Sequence, residues 1–246
     1  ITPANELLKF ADDSYLIVAA ERVESRFDEL ENIKTWAVRN NLKLNTSKTV
    51  EIVFGRPRSR TNINPPPPIP GIQRVESVKI LGVTFGRSFS MQDHVTDILG
   101  ACARSLYALR TLRSHGMNNT NLQMVFKSVM VAKILYASLA WSGFLNAAER
   151  DRFEGFIRRS KRTGFCPSNL ETFSSLCEKA DDAFFSAIKN NTQHVLHHLL
   201  QVKPPSGYLL RERVHNYVLP NNNNKLSLSD CNFLNRILYK NIFSNQ

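Results

Sequence analysis

Cysteine is scarce in this chain and never closely spaced: Cys102, Cys166, Cys177 and Cys231 are the only four among 246 residues. With no C-x-x-C pair and no secretory leader, the pattern offers no disulfide framework, and a reduced intracellular protein is the expectation. Cys166, Cys177, His194 and His197 make one conceivable zinc set. The ten residues between the two cysteines are not a knuckle spacing, however, and buried or surface thiols are the plainer reading. A long apolar run is missing as well. The most apolar window, Val129 to Trp141, contains Lys133 and is too short to span a bilayer, so no membrane segment is expected. There is no internal repeat. Acid is under-represented, with 21 Asp and Glu against 32 Lys and Arg, a net charge of +11. That imbalance favours a polyanionic partner such as nucleic acid over an acidic small substrate.

What is present is enough to fold. A hydrophobic share of 42% excludes wholesale disorder, and 246 residues suffice for one large domain or two small ones. The charge is unevenly placed. Residues 1–50 carry seven basic and eight acidic side chains, whereas residues 101–163 carry eleven basic and three acidic ones. The first region suits a metal, the second a phosphate backbone.

The acidic region opens on an unusual arrangement. Leu7-Leu8-Lys9-Phe10-Ala11 and Ser14-Tyr15-Leu16-Ile17-Val18 are strand-like runs that flank Asp12-Asp13, which reads as a buried β-hairpin with both carboxylates at its tip. Asp is a common turn former, and a surface turn is one account of the pair. A buried tip would make two adjacent anions costly unless a cation such as Mg²⁺ joined them, since that ion is held by one or two carboxylates plus substrate phosphates.

Further along, Val23, Phe27, Leu30, Ile33 and Ala37 recur at helical spacing opposite Glu24, Asp28, Glu31 and Lys34, predicting a helix that covers one sheet face. Val50 to Phe54 alternates as a strand. Arg56, Arg58 and Arg60 precede Pro65-Pro66-Pro67-Pro68, a stiff extended connection and a less favoured docking site for a proline-binding module. Val78 to Phe85 reads as a strand with Gly82 inside it, a residue that weakens a strand unless something must approach its backbone. From Ser90 the period becomes helical. Val95, Ile98, Leu99, Cys102, Leu106, Leu109 and Leu112 form one stripe ended by His115-Gly116, and Leu122 to Leu139 form a second. A third, on Phe153, Phe156 and Ile157, ends in the cationic cluster Arg158, Arg159, Lys161 and Arg162. Helical patterns follow at about Ser174–Ile188 and Thr192–Leu200, then a basic strand-like stretch from Tyr208 to Val218, an Asn-rich loop and a short C-terminal helix.

Four of these stretches, in this order, resemble reverse transcriptases of retrotransposons without long terminal repeats. Phe10-Ala11-Asp12-Asp13 is similar to the family's F/Y-x-D-D motif, and Leu42 to Asn45 with Lys48-Thr49 to its next palm motif. Lys79-Ile80-Leu81-Gly82-Val83 is similar to the primer grip, and Tyr136-Ala137-Ser138 with Trp141 to the thumb side. Tyr208 to Arg213 and Asn232 to Tyr239 look like the tail of animal elements of this kind. The resemblance implies an α+β fold: a partial antiparallel palm sheet with a covering helix over residues 1–88, a helical thumb over 89–165 and the element's C-terminal tail over 166–246.

It also implies an RNA-directed DNA polymerase that uses an RNA template, a DNA primer, deoxynucleoside triphosphates and Mg²⁺, at work in nucleus and cytoplasm. Asp12 and Asp13 would bind the metal, and Lys48 would serve the leaving group. Phe10, Lys79, Leu81 and Gly82 would contact the primer, while Arg158, Arg159, Lys161 and Arg162 would contact nucleic acid. The family's third palm carboxylate and its fingers have no counterpart ahead of Ile1. The chain therefore reads as a fragment that is inactive alone, the alternative being a non-catalytic nucleic-acid-binding remnant.

Overall fold

The computed structural model describes residues 1–55, 65–202, 215–219 and 229–240. Arg56, Arg58 and Arg60, most of the strand-like stretch from Tyr208, and the Asn-rich loop lie outside them. The fold is mixed α+β, with small two-stranded sheets near the start and helices from Gln92 onward. It divides into two compact units, residues 1–78 and 79–246.

In the first unit, β1 (Glu6–Phe10) and β2 (Asp13–Ile17) pair antiparallel, with Phe10 opposite Asp13 and Leu8 opposite Tyr15. Helix α1 (Arg26–Arg39) follows a distorted 3-10 turn. Its Trp36 lies under Lys9, whose Nζ sits 3.7 Å from the ring centroid, so the helix meets one face of the hairpin. The expected apolar stripe is only partly buried. Phe27 is exposed, and the buried residues of the helix are Ala37 together with the charged Glu29 and Arg26. The reason is hydrogen bonding rather than hydrophobicity. Glu29 Oε1 accepts from the Thr2 N–H and from Asn5 Nδ2, while Arg26 donates to the carbonyls of Val23 and Pro67. Arg74 donates to Pro66 O and pairs with Glu51. The prolines are thus docked on two arginines instead of merely spanning a gap. The expected strand over Val50–Phe54 shrinks to β3 (Val50–Glu51), paired parallel with β4 (Gln73–Arg74).

Strands β5 (Ser77–Ile80) and β6 (Val83–Gly86) form a hairpin whose two turn residues, Leu81 and Gly82, both have positive φ (45° and 89°), as a type I′ turn requires. In the second unit, α2 (Gln92–Ser114) is followed by α3 (Asn119–Val125), a π-helical turn (Phe126–Val131), α4 (Ala132–Leu135), α5 (Ser138–Trp141), α6 (Ala147–Arg162) and α7 (Phe173–Asn190). Polar caps start several of them. Asn118 accepts from the Asn121 N–H, Thr172 from that of Ser175, and Asn146 forms a reciprocal capping box with Glu149. The core between them is aromatic: Phe173 stacks on both Trp141 and Phe153, which are tilted to each other, and Phe126 stacks on Phe156.

The run Asn119–Phe144 is long and apolar enough, by length and composition, to cross a membrane, which exceeds the shorter window read from the sequence. Its Leu122, Phe126, Met130, Ile134 and Trp141 are all core residues, and the chain leaves helical geometry at Ala137, where φ is 49°. Beyond α7 the expected helix over 192–200 reduces to one 3-10 turn, His197–Leu199. The predicted C-terminal helix is α8 (Phe233–Tyr239), pinned by Arg236 to Asp181 of α7 at 2.6 Å.

Candidate functional site

The Asp pair falls where the two-residue turn meets β2. Ala11 and Asp12 form the turn and Asp13 is the first paired residue, so the two carboxylates do not alternate across one continuous strand. Ala11 adopts φ 52°, a left-handed conformation that costs an L-residue about 1–2 kcal/mol and would be relieved by glycine. The tip is exposed, not buried as its apolar flanks suggested: Asp12, Asp13 and Phe10 all face solvent, Phe10 being 62% exposed. A hairpin without further strands has two solvent-facing edges and cannot enclose its own turn. The Tyr15 hydroxyl donates to Asp13 Oδ2 at 3.3 Å.

Mg²⁺ fits this donor set in part. Two exposed carboxylates can hold one ion whose remaining positions go to water or phosphate. Among the described residues no group of three or more His, Cys, Asp and Glu could hold a metal, so a centre with two ions would need a further carboxylate from elsewhere. The same holds for the zinc set weighed above. Cys166 and Cys177 are buried, and desolvation pushes their thiols up to about 11 and about 12, which keeps them protonated and unreactive.

Lys48 lies in a tight turn in which its own N–H reaches Asn45 O and Oδ1, and its side chain is exposed. Among the described residues its ammonium has no carboxylate within salt-bridge distance. No family model, curated protein or solved structure matches this chain.

In the second unit, the Lys79–Gly82 turn rests on the helices. The Tyr136 hydroxyl donates to Leu81 O at 3.1 Å, and a Cβ on Gly82 would come within 2.9 Å of the Tyr136 ring, so only glycine allows this approach. Tyr136 is held in turn by its own carbonyl, which accepts the Trp141 indole N–H. Lys79 and Leu81 are exposed beside it.

The cationic end of α6 splits in two. Arg158, Arg159 and Arg162 are exposed and form no ion pair among the described residues. Lys161 is half-buried and donates one of its three N–H groups to Leu170 O, so it ties α6 to the following loop where, among the described residues, its neighbours stand free of such a tie. His94 went unnoticed in the sequence. It is buried, its Nδ1 accepts the Thr84 N–H at 3.3 Å, and its ring meets Trp141 edge-to-face. The available signal was its register: it stands one turn and two turns ahead of Ile98 and Cys102, a polar residue in line with the apolar stripe.

Proposed function

We propose that the chain is the C-terminal palm-and-thumb part of an RNA-directed DNA polymerase of a retrotransposon without long terminal repeats. The observation that carries the reading is Asp12-Asp13 at a two-residue hairpin turn directly after Phe10, followed in order by the Lys48 turn and the Lys79–Gly82 turn. Asp12 is the main ligand for Mg²⁺ and Asp13 its neighbour, with substrate phosphates and a carboxylate outside this pair completing the site. Mg²⁺ held there would supply two-metal chemistry, one ion lowering the pKa of the primer 3′-hydroxyl and a second stabilising the triphosphate and the leaving pyrophosphate. Phe10 packs beneath the primer end, and Lys48, free of any described carboxylate, serves the leaving group. Lys79, Leu81 and Gly82 present backbone to the primer, while Arg158, Arg159 and Arg162 hold nucleic acid by its phosphates without reading its bases. The substrates are an RNA template, a DNA primer and deoxynucleoside triphosphates, within nucleus and cytoplasm.

The donor count favours a second reading, a nucleic-acid-binding remnant without catalysis, because the Asp pair has no third ligand among the described residues. Primer extension separates the two. Residues 1–246 with Mg²⁺ and nucleotides are expected to leave a primed RNA template unextended. A longer protein that adds the upstream sequence of the same reading frame is expected to extend it. Robust synthesis by residues 1–246 would overturn the account of a divided site, and silence from the longer protein would leave the remnant as the better reading.

A further inference from the structure

The second unit contains a cleft of about 580 Å³ whose lining includes Lys79, Thr84, His94, Lys133 and Tyr136. Three departures from regular backbone border it: the Leu81–Gly82 turn, the π-helical turn Phe126–Val131 and the left-handed Ala137. Irregularities of this kind gather where a fold holds something. His94 is only 3% exposed. Because its Nδ1 accepts the Thr84 N–H, the neutral ring carries its proton on Nε2, and that buried donor has no partner among the described residues. A donor desolvated without an acceptor is an unfavourable arrangement that an incoming acceptor relieves. Lys79 and Lys133 are exposed, and neither forms an ion pair among the described residues. Asp97 is the single acidic residue lining the cleft, which leaves positive charge in excess. Burial, with help from Lys79 and against Asp97, lowers the His94 pKa, so the ring offers a neutral N–H rather than a charge.

We infer that this cleft receives a phosphate group, one oxygen accepting the His94 Nε2–H while Lys79 and Lys133 balance its charge. The site lies outside the Asp pair, and it rests on the polymerase reading only for the source of the phosphate. That source is either a phosphodiester of a bound strand or a free compound such as pyrophosphate.

The test uses residues 1–246 with ¹⁵N in the histidine rings, titrated at low salt with pyrophosphate and, separately, with a short single-stranded oligonucleotide lacking terminal phosphates. The His94 Nε2 resonance is expected to move with at least one probe. Lys79→Gln combined with Lys133→Gln should weaken that binding about tenfold, the order expected for lost charge-assisted contacts. Movement with the strand assigns the phosphodiester, and movement with pyrophosphate alone assigns a free phosphate compound. A resonance indifferent to both probes overturns the site, as does binding that the double lysine variant leaves unchanged. Both lysines are exposed, so that variant keeps its fold even if His94→Gln does not. Asp12→Ala leaves these outcomes untouched while removing synthesis by the longer protein, so the two readings fail separately.

Discussion

Single residues in this chain do work that their type would not suggest. Glu29 is an acid with no exposed surface, and it stays ionised because Thr2 and Asn5 donate to it; these hydrogen bonds hold its pKa at about 2. A carboxyl whose folded pKa lies below its unfolded value stabilises the fold at neutral pH, and that contribution fades as pH falls through the window between the two. Chemical denaturation of the wild type and Glu29→Gln should therefore differ at pH 7 and converge between about pH 4.5 and about pH 2. A difference that stays constant with pH would mean that packing, not charge, accounts for the effect. Glu29 was legible as polar but not as buried. The periodicity marks Glu24, Asp28, Glu31 and Lys34 as the polar face of this helix and passes over Glu29, whose burial depends on its distant partners Thr2 and Asn5.

Elements were legible where local patterns decide them. The long stripe of α2 ends at Ser114 just before His115-Gly116, and α6 begins at an Asn–Glu capping box, so periodicity and termini agree there. Prediction failed where pairing partners decide. Val50 to Phe54 alternates as a strand should, yet only two residues find a neighbour, and the 192–200 pattern is too short to hold more than one 3-10 turn. At the end of α6, four cations alike in sequence separate in space. Replacing Arg158, Arg159 and Arg162 with Gln should weaken nucleic-acid binding and flatten its salt dependence by about two to three units of slope, because each neutralised phosphate contributes about 0.7–0.9. Lys161→Gln should leave that slope unchanged and instead lower thermal stability, since its ammonium ties α6 to Leu170. Filter binding across a salt series, with melting curves on the same variants, checks both halves. Equal loss of slope from Lys161→Gln would return it to the binding surface.

At the scale of the whole molecule, the chain joins a unit of nearly balanced charge, which carries the hairpin, to a basic helical one, and the proposed chemistry needs each for a different purpose. The hairpin offers two carboxylates in the open; the helices offer cations and a shaped cleft. The order of the motifs was readable from sequence because it is a property of the chain. The exposure of the Asp tip was not, because burial of a hairpin depends on strands that pack beside it. The most direct measurement of the central claim is the rate of primer extension on an RNA template by the longer protein carrying Asp12→Ala, set against the same protein unchanged. Losing a ligand that positions charge at the reacting phosphate costs several kcal/mol, so the rate should drop by about two to three powers of ten or more, with folding and nucleic-acid binding preserved. An Asp12→Ala protein that extends the primer at the unchanged rate would contradict the account and make the pair an ordinary surface turn.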